Sequence, residues 1–376
     1  MLNQLTQTQK IFYALISSIP LYYSLGSLTG NNYLYSMKDI IFLLIFFIVF
    51  VNLKISKNAW LLFGLFVLLS IYGLFLTTNS FVLYILSVRE VLFYPLVGIL
   101  LGYYFSKNNG VEVLYSISIV YLILTYIFLI LFPTYSFGPT DRLHSLWDRE
   151  HEPAIIAGLC ILGTVYLAER NIKSLFIFLA SIYVITLTGS RSAIIGILFA
   201  FLILSILEFS VMKIIFIFIL AVIIMLFFAE INTSGRALDH NLIARINQYQ
   251  LAIDTIQKSH FLGIGPDKYG VMSGIVEKEY CNNGLCTKTM DSTIIKYLVN
   301  YGLIYLFTIL IIILMCIKCF FKFSGRPDVK YLLSLVLFSL VIGSVTGKLG
   351  AFPLNMFFYY ALGCVLSILS FNKAFK

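Results

Sequence analysis

The sequence predicts an all-α polytopic integral membrane protein that forms a single membrane domain over residues 1–376. Hydrophobic residues make up 60% of the chain and charged residues only 11%, whereas a soluble domain has roughly 25% charged residues. A membrane-spanning helix needs about 20 mostly apolar residues, and apolar stretches of that kind recur along the whole chain. No small-residue cleavage site follows the first stretch, so we interpret it as a span and not as a signal peptide.

About twelve apolar segments qualify as transmembrane helices. They are predicted at residues 11–28, 39–53, 59–77, 82–105, 113–132, 154–168, 173–187, 193–208, 211–229, 293–317, 330–346 and 351–370. Lysine and arginine in short loops mark the cytoplasmic side, and here they fall in alternate short connections and near both ends of the chain. Both termini are therefore predicted to be cytoplasmic, with a long outward loop between helices 9 and 10.

Two outward loops, at about residues 133–153 and 230–292, are predicted to form the active-site side. The first ends in a dense polar and aromatic segment directly before an apolar helix. This segment is either a solvated rim with interface anchors or a contact surface for sugar and phosphate, with arginines as charge-assisted donors. Its candidate substrate-binding residues are Arg142, His144, Arg149 and Glu152.

Arg191 lies in a hydroxyl-rich turn, Thr-Gly-Ser-Arg-Ser-Ala, between two apolar helices. A guanidinium keeps its charge and binds phosphate oxygens through parallel hydrogen bonds. We expect Thr188, Ser190 or Ser192 to cap the following helix, whose first amides would strengthen an anion site. The alternative is a simple cap with an arginine that reaches the lipid headgroups.

Arg245 begins a second candidate segment inside the long outward loop. Apolar residues at positions 246, 251, 253 and 256 give a partial helical period, which predicts a short amphipathic helix on the outer leaflet. The helix should hold Arg245 over the cavity and end in the glycine-rich turn at residues 262–266.

Four further charged residues are expensive to place at or inside a membrane. Asp291 stands at the mouth of the predicted span 293–317 and is either its N-cap or a general base for a sugar hydroxyl. Lys348 lies in an outward turn and is a candidate for substrate binding. Arg89 and Glu90 fall within the fourth predicted span, so they are functional candidates with a purely structural alternative.

Cys281 and Cys286 lie in the long outward loop, where an oxidising compartment favours a small disulfide-closed turn over two free thiols. The spacing does not supply the four ligands of a structural zinc site, and no nucleotide-binding glycine motif is present, so we predict no metal and no cofactor. The net charge is +9, but the basic residues form no single stripe, which argues against nucleic acid.

Taken in order, these segments resemble the Wzy-type polysaccharide polymerases and their relatives, the O-antigen ligases. The resemblance depends on residues 142–153, the turn around Arg191, Arg245 with the later Leu-Gly-Ile-Gly-Pro, and Asp291 eleven positions before Gly302. Ligases commonly have His-Asn before the last of these helices, where this chain has Asp291-Ser292. The departure favours a polymerase.

The resemblance implies a GT-C-like, metal-independent glycosyltransferase in the bacterial cytoplasmic (inner) membrane, active on its outer face. Donor and acceptor would be undecaprenyl-diphosphate-linked oligosaccharides, joined by inverting displacement into O-antigen or capsule. Asp291 would be the catalytic base, Arg191 and Arg245 would neutralise the leaving diphosphate, and Arg142 and Arg149 would position the second diphosphate or the glycan. Membrane lipids, a chain-length regulator and a flippase are the further partners implied.

Three other functions are compatible with parts of the pattern. An O-antigen ligase differs in its acceptor. A lipid-linked oligosaccharide flippase would have charges along a path through the membrane, whereas here most lie on one face. A membrane acyltransferase would use the outward histidines, but their spacing indicates neither a nucleophile nor an acyl-donor site.

Overall fold

The computed structural model describes residues 5–52, 55–77, 81–106, 109–137, 143, 151–169, 171–215, 217, 238–266, 272–273, 276–277, 280–282, 285–287, 292–346 and 352–371. Four helices in these ranges are long and apolar enough to cross a membrane: Lys57–Leu76, Gly110–Leu131, Leu303–Phe323 and Pro327–Val345. Shorter apolar helices accompany them. An α-helical membrane protein is thereby confirmed, while twelve spans and a GT-C-like arrangement stay predictions.

The helices follow the predicted apolar segments closely up to residue 207. They are α1 (Gln7–Thr29), α2 (Asn32–Asn52), α3 (Lys57–Leu76), α4 (Phe81–Val88), α5 (Tyr94–Phe105), α6 (Gly110–Leu131), the single turn α7 (Pro133–Ser136), α8 (His151–Tyr166), α9 (Ile172–Thr188) and α10 (Arg191–Leu207). A π-helical turn, Arg89–Phe93, joins α4 to α5. The predicted ninth span lies mostly outside the described residues.

The second part of the chain departs from the predicted pattern. Its helices are α11 (Leu238–Lys258), α12 (Thr293–Tyr301), α13 (Leu303–Phe323), α14 (Pro327–Val345) and α15 (Leu354–Phe371). Two small hairpins interrupt the all-α pattern in the long loop: β1 (Met272–Ser273) with β2 (Val276–Glu277), and β3 (Tyr280–Asn282) with β4 (Leu285–Thr287).

The predicted continuous span 293–317 is wrong, because Gly302 separates α12 from α13. Gly302 has φ 62° and ψ −147°, a combination that is essentially restricted to glycine. The segment before Gly302 contains Lys296 and Asn300 and is less apolar than Leu303–Phe323, but apolar composition does not show where the backbone turns.

The predicted amphipathic helix exists as α11, but the apolar face differs from the predicted one. Leu251, Ala252 and Ile256 pack with Val299 of α12, whereas Ile246 and Ile253 are 46% and 54% exposed. Besides α12, the hairpin of β3 and β4 also contacts α11.

Helices α8, α10 and α14 pack tightly around the ring of Phe338. A Cβ placed on Gly158 of α8 would lie 2.6 Å from this ring, and one on Gly196 of α10 would lie 2.8 Å from it, so only glycine permits the approach. Farther along, Lys330 of α14 pairs with Glu208 after α10 at 2.6 Å. Helices α10 and α14 are therefore antiparallel.

Glu208 forms ion pairs with Lys213 and Lys330 at the end of the group where α10 ends and α14 begins. Burial raises the pKa of the Glu208 carboxyl, but hydrogen bonds from Lys213 and Lys330 and their positive charges outweigh it, so the net pKa lies below its usual value. A lowered folded-state pKa stabilises the fold above the unfolded pKa, and this contribution is lost as pH falls through the folded pKa.

We expect Glu208→Gln to lower the thermal unfolding midpoint at pH 7 by an amount equivalent to about 0.5–1 kcal/mol. The difference from the unsubstituted protein should begin to shrink as the pH falls below the ordinary glutamate pKa of about 4.3 and should vanish only below the lower folded-state pKa of Glu208. Melting curves in detergent across this pH range test it, with the exposed Glu169 replaced by Gln as the control. A difference that does not change with pH would contradict the electrostatic origin.

Candidate functional site

One end of the helix group around Phe338 gathers several of the predicted segments. The first turns of α8 and α10 and the last turn of α14 lie at this end, because Gly158, Gly196 and Phe338 share one level and α14 is antiparallel to both neighbours. For α8 this follows because Gly163 packs on Tyr115, whose ring contacts Tyr331 of α14. At 1.5 Å per residue, Glu152, Arg191 and Thr346 lie about 8–12 Å from that level along their axes. We call this the site end.

Helix α12 starts at the site end, against the end of α14. The amide of Thr293 donates to the carbonyl of Thr346 at 3.3 Å, and the Ser292 hydroxyl donates to the carbonyl of Gly343 at 3.4 Å. Asp291 and Lys348 themselves lie outside the described residues, yet each is a close chain neighbour of one partner in these contacts.

Ser292 is the N-cap of α12, and its hydroxyl accepts from the amide of Ile295 at 3.2 Å. The cap alternative for Asp291 is therefore wrong, since the following residue occupies the cap position. A carboxylate at residue 291 is not needed to satisfy the helix amides in that way.

Arg191 is the first residue of α10 and is exposed. Thr188, Ser190 and Ser192 around it are buried, with at most 8% exposure. The expectation of a hydroxyl cap is wrong: Ser190 holds the N-cap position without a side-chain cap bond, because its hydroxyl pairs with that of Ser192 at 3.2 Å. The hydroxyls order the turn, and the guanidinium is left on its surface.

The first outward loop returns to this same turn. The amide of Leu143 donates to the carbonyl of Leu187 at 3.1 Å, and Leu143 is fully buried. Arg142 and His144, its neighbours in the chain, lie outside the described residues, as does Arg149. Glu152 is buried in the first turn of α8 with 7% exposure.

The glycine-rich turn after α11 packs on the end of α12. Ile264 and Gly265 donate amide hydrogen bonds to the carbonyls of Val299 and Asn300 at 3.0 and 3.1 Å. A Cβ on Gly263, which has φ +89°, would approach the carbonyl oxygen of Asn300 to 2.6 Å. The backbone of Arg245 lies in α11, so this turn couples the helix of Arg245 to the helix that follows Asp291.

Sequence reasoning missed the partner of Glu90. Its carboxylate accepts hydrogen bonds from Lys296 Nζ at 3.2 Å and from the Tyr297 hydroxyl at 2.9 Å. Lys296 and Tyr297 belong to α12, whereas Glu90 belongs to the π-helical turn, a feature often found at functional sites. Glu90 thus links α12 to α4 and α5, and its contacts on α12 lie about one helical turn after Ser292.

The backbone positions of Cys281 and Cys286 are paired directly across the hairpin of β3 and β4. Directly opposed residues of antiparallel strands have Cα atoms about 4.5–5.5 Å apart, which lies within the separation that a disulfide spans. The backbone register is therefore compatible with the predicted disulfide, which remains a prediction.

Within the described ranges, no group of three or more His, Cys, Asp or Glu side chains is placed to hold a metal ion. Arg142, His144, Arg149, Asp291 and Lys348 fall outside those ranges, so a metal-free site stays a prediction.

Residues 176–310 match the family model described as O-antigen ligase (Wzy_C). The matched stretch includes the Arg191 turn, Arg245, the glycine-rich turn, Asp291 and Gly302, but not the first outward loop or Lys348. No curated protein matches the chain. Over this stretch the match confirms the resemblance to the superfamily of O-antigen ligases and the related polysaccharide polymerases.

Proposed function

We propose that the protein is a membrane glycosyltransferase that polymerises undecaprenyl-diphosphate-linked oligosaccharide repeat units into O-antigen or capsule. The observation that carries the proposal is the gathering of separate segments at the site end. Arg191, Glu152 and the start of the helix that follows Asp291 lie at this end, and the Leu143 hydrogen bond brings the first loop to the Arg191 turn.

The chemistry proposed is a direct displacement at the anomeric carbon of the donor. A hydroxyl oxygen of the acceptor forms the new glycosidic bond as its proton passes to the Asp291 carboxylate. The bond from the anomeric carbon to the diphosphate oxygen breaks at the same time, and its electron pair leaves with undecaprenyl diphosphate. Arg191 and Arg245 would stabilise this developing charge through preorganised donors.

An O-antigen ligase is the second candidate, because the matching family carries that description. The two activities differ in the acceptor: a polymerase extends a second lipid-linked repeat unit, whereas a ligase transfers the glycan to another lipid. Asp291-Ser292 in the place of the His-Asn of ligases supports the polymerase. Offering both acceptors to one preparation and resolving products by size separates them.

We expect Arg191→Ala to reduce polymer formation at least about a hundredfold, the usual effect of losing one donor to transition-state charge. The assay uses protein in nanodiscs, synthetic undecaprenyl-diphosphate repeat units and a chelator. Arg191→Lys should retain part of the rate, since a lysine keeps the charge but not the paired hydrogen bonds.

Arg326→Ala is the matched control, because Arg326 precedes α14 at the opposite end of the helix from the site end. Its guanidinium is held by Asp328, so its loss should leave the rate unchanged. Long polymer from Arg191→Ala at the normal rate would overturn the assignment of Arg191. Absence of polymer from the unsubstituted protein with the correct sugars would overturn the polymerase.

A further inference from the structure

A second cationic cluster lies apart from Arg191, around the π-helical turn. Arg89 of this turn lies beside Asp39 of α2, with 3.6 Å between Arg89 Nη1 and Asp39 Oδ2. The other carboxylate oxygen of Asp39 accepts from the Tyr94 hydroxyl at 2.6 Å. The guanidinium also lies over the Tyr94 ring, 5.9 Å from its centre.

This arrangement leaves Arg89 incompletely paired. A guanidinium has five N–H donors and forms its strongest contacts as two parallel hydrogen bonds. Here a single long contact reaches Asp39, and the buried Nε has no hydrogen-bond partner within the described part of the chain. The side chain as a whole is 41% exposed, so an outside acceptor can approach.

The charges around Arg89 favour an anionic acceptor. Lys38 adjoins Asp39 on α2, with its ammonium 5.3 Å from the Tyr23 ring centre. Glu90 also acts electrostatically on Arg89, but its carboxylate is shared with Lys296 and Tyr297. Among these described side chains, the three cations Lys38, Arg89 and Lys296 stand against the two carboxylates of Asp39 and Glu90, so positive charge is in excess in the cluster.

The cluster lies near the site end and beside an exposed apolar side chain. Lys296, which holds Glu90, is four residues after Ser292, or about 6 Å along α12. Tyr23 stacks on Phe352 with 6.1 Å between ring centres, and Phe352 comes shortly after Lys348 in the chain. Ile85, one helical turn before Arg89, is 51% exposed, as expected of a lipid-facing side chain.

We propose that Arg89 and Lys38 bind the phosphate group of a membrane lipid. Resting on the proposed function, the favoured source is the diphosphate of the second lipid-linked substrate, since that reaction holds two such lipids at once and Arg191 with Arg245 serves the leaving one. Arg142 and Arg149 would then position the glycan. A phospholipid headgroup presents the same phosphate oxygens from the same membrane and is the other source.

Native mass spectrometry of the full chain in neutral detergent tests the site by counting bound copies. One titration uses farnesyl diphosphate, a lipid diphosphate without sugar, and another uses phosphatidylglycerol. We expect Arg89→Gln and Lys38→Gln each to weaken one binding event about tenfold, whereas Arg326→Gln leaves both titrations unchanged. Lys38→Gln decides the matter if Arg89→Gln does not fold.

Weaker binding of farnesyl diphosphate supports the substrate source, and weaker binding of phosphatidylglycerol alone supports a headgroup site. If both variants bind both lipids as the unsubstituted protein does, the proposal is overturned. The mass measurement counts bound lipids and does not require catalytic turnover. An unsubstituted protein without activity would therefore refute the proposed polymerase function, while the counts of bound lipid would still test the Arg89 site. Conversely, an active enzyme with unchanged lipid counts in the variants would refute only the Arg89 site.

Discussion

Asp291→Asn is expected to reduce the polymerisation rate about a thousandfold, within the range known for removal of a general base. The amide has nearly the same shape as the carboxylate, so substrate should still bind, but it cannot take the proton of the acceptor hydroxyl. Single-turnover rates with a synthetic acceptor measure the chemical step, and donor affinity measured in parallel should change little.

Two variants separate this role from a structural one. Ser292→Ala removes the hydroxyl that caps α12 and should cost about 1 kcal/mol of stability, with a much smaller effect on rate. Asp291→Glu keeps the carboxylate on a longer side chain and should recover part of the activity. A normal single-turnover rate for Asp291→Asn would refute Asp291 as the base.

Gly302→Ala should strongly destabilise the junction between α12 and α13, by more than about 2 kcal/mol, because its backbone conformation is essentially restricted to glycine. A Cβ at this position would also lie 2.2 Å from the carbonyl oxygen of Phe261. The same carbonyl accepts from the amide of Leu303 at 3.0 Å. To avoid the overlap between this Cβ and the Phe261 carbonyl oxygen, the backbone would have to move, and the glycine-rich turn would separate from α12.

Gly30→Ala is the control that isolates the overlap from backbone strain. Gly30 also has a positive φ, +66°, but a Cβ there would meet no atom within 4 Å, so we expect a cost of only about 1 kcal/mol. Thermal melting and protein yield in detergent compare the two. If Gly302→Ala melts no lower than Gly30→Ala, the close packing of the turn on α12 is not essential to the fold.

The link between Glu90 and α12 explains how a carboxylate inside an apolar segment is accommodated. A charged group is costly in a membrane unless it is paired, and Glu90 obtains both Lys296 and Tyr297 as partners. Since Lys296 follows Ser292 by about one turn, this pair also sets the position of the α12 start relative to α4 and α5. A structural contact thereby contributes to the geometry of the proposed site.

Composition and apolar periodicity were sufficient to predict the class of the protein and most helices. Water is absent from the hydrocarbon core, so each spanning segment must satisfy its own backbone hydrogen bonds and reads as a long apolar run. The break at Gly302 was not predicted, because it depends on a backbone conformation that apolar content does not reveal. Polar turn residues, by contrast, marked the Arg191 turn and the glycine-rich turn correctly, because their chemistry is local.

Only the tertiary structure decided which of these segments meet. Glu90 and Lys296 are 206 residues apart in the chain, and a single sequence contains no local signal for such a pairing. Side-chain directions that only packing determines also decide that Ser292, and not Asp291, caps α12. The same holds for the incomplete pairing of Arg89. The sequence by itself determined the kind of chemistry available, through its outward arginines and carboxylates, and the packing of α8, α10, α12 and α14 determined which of their segments share the site end.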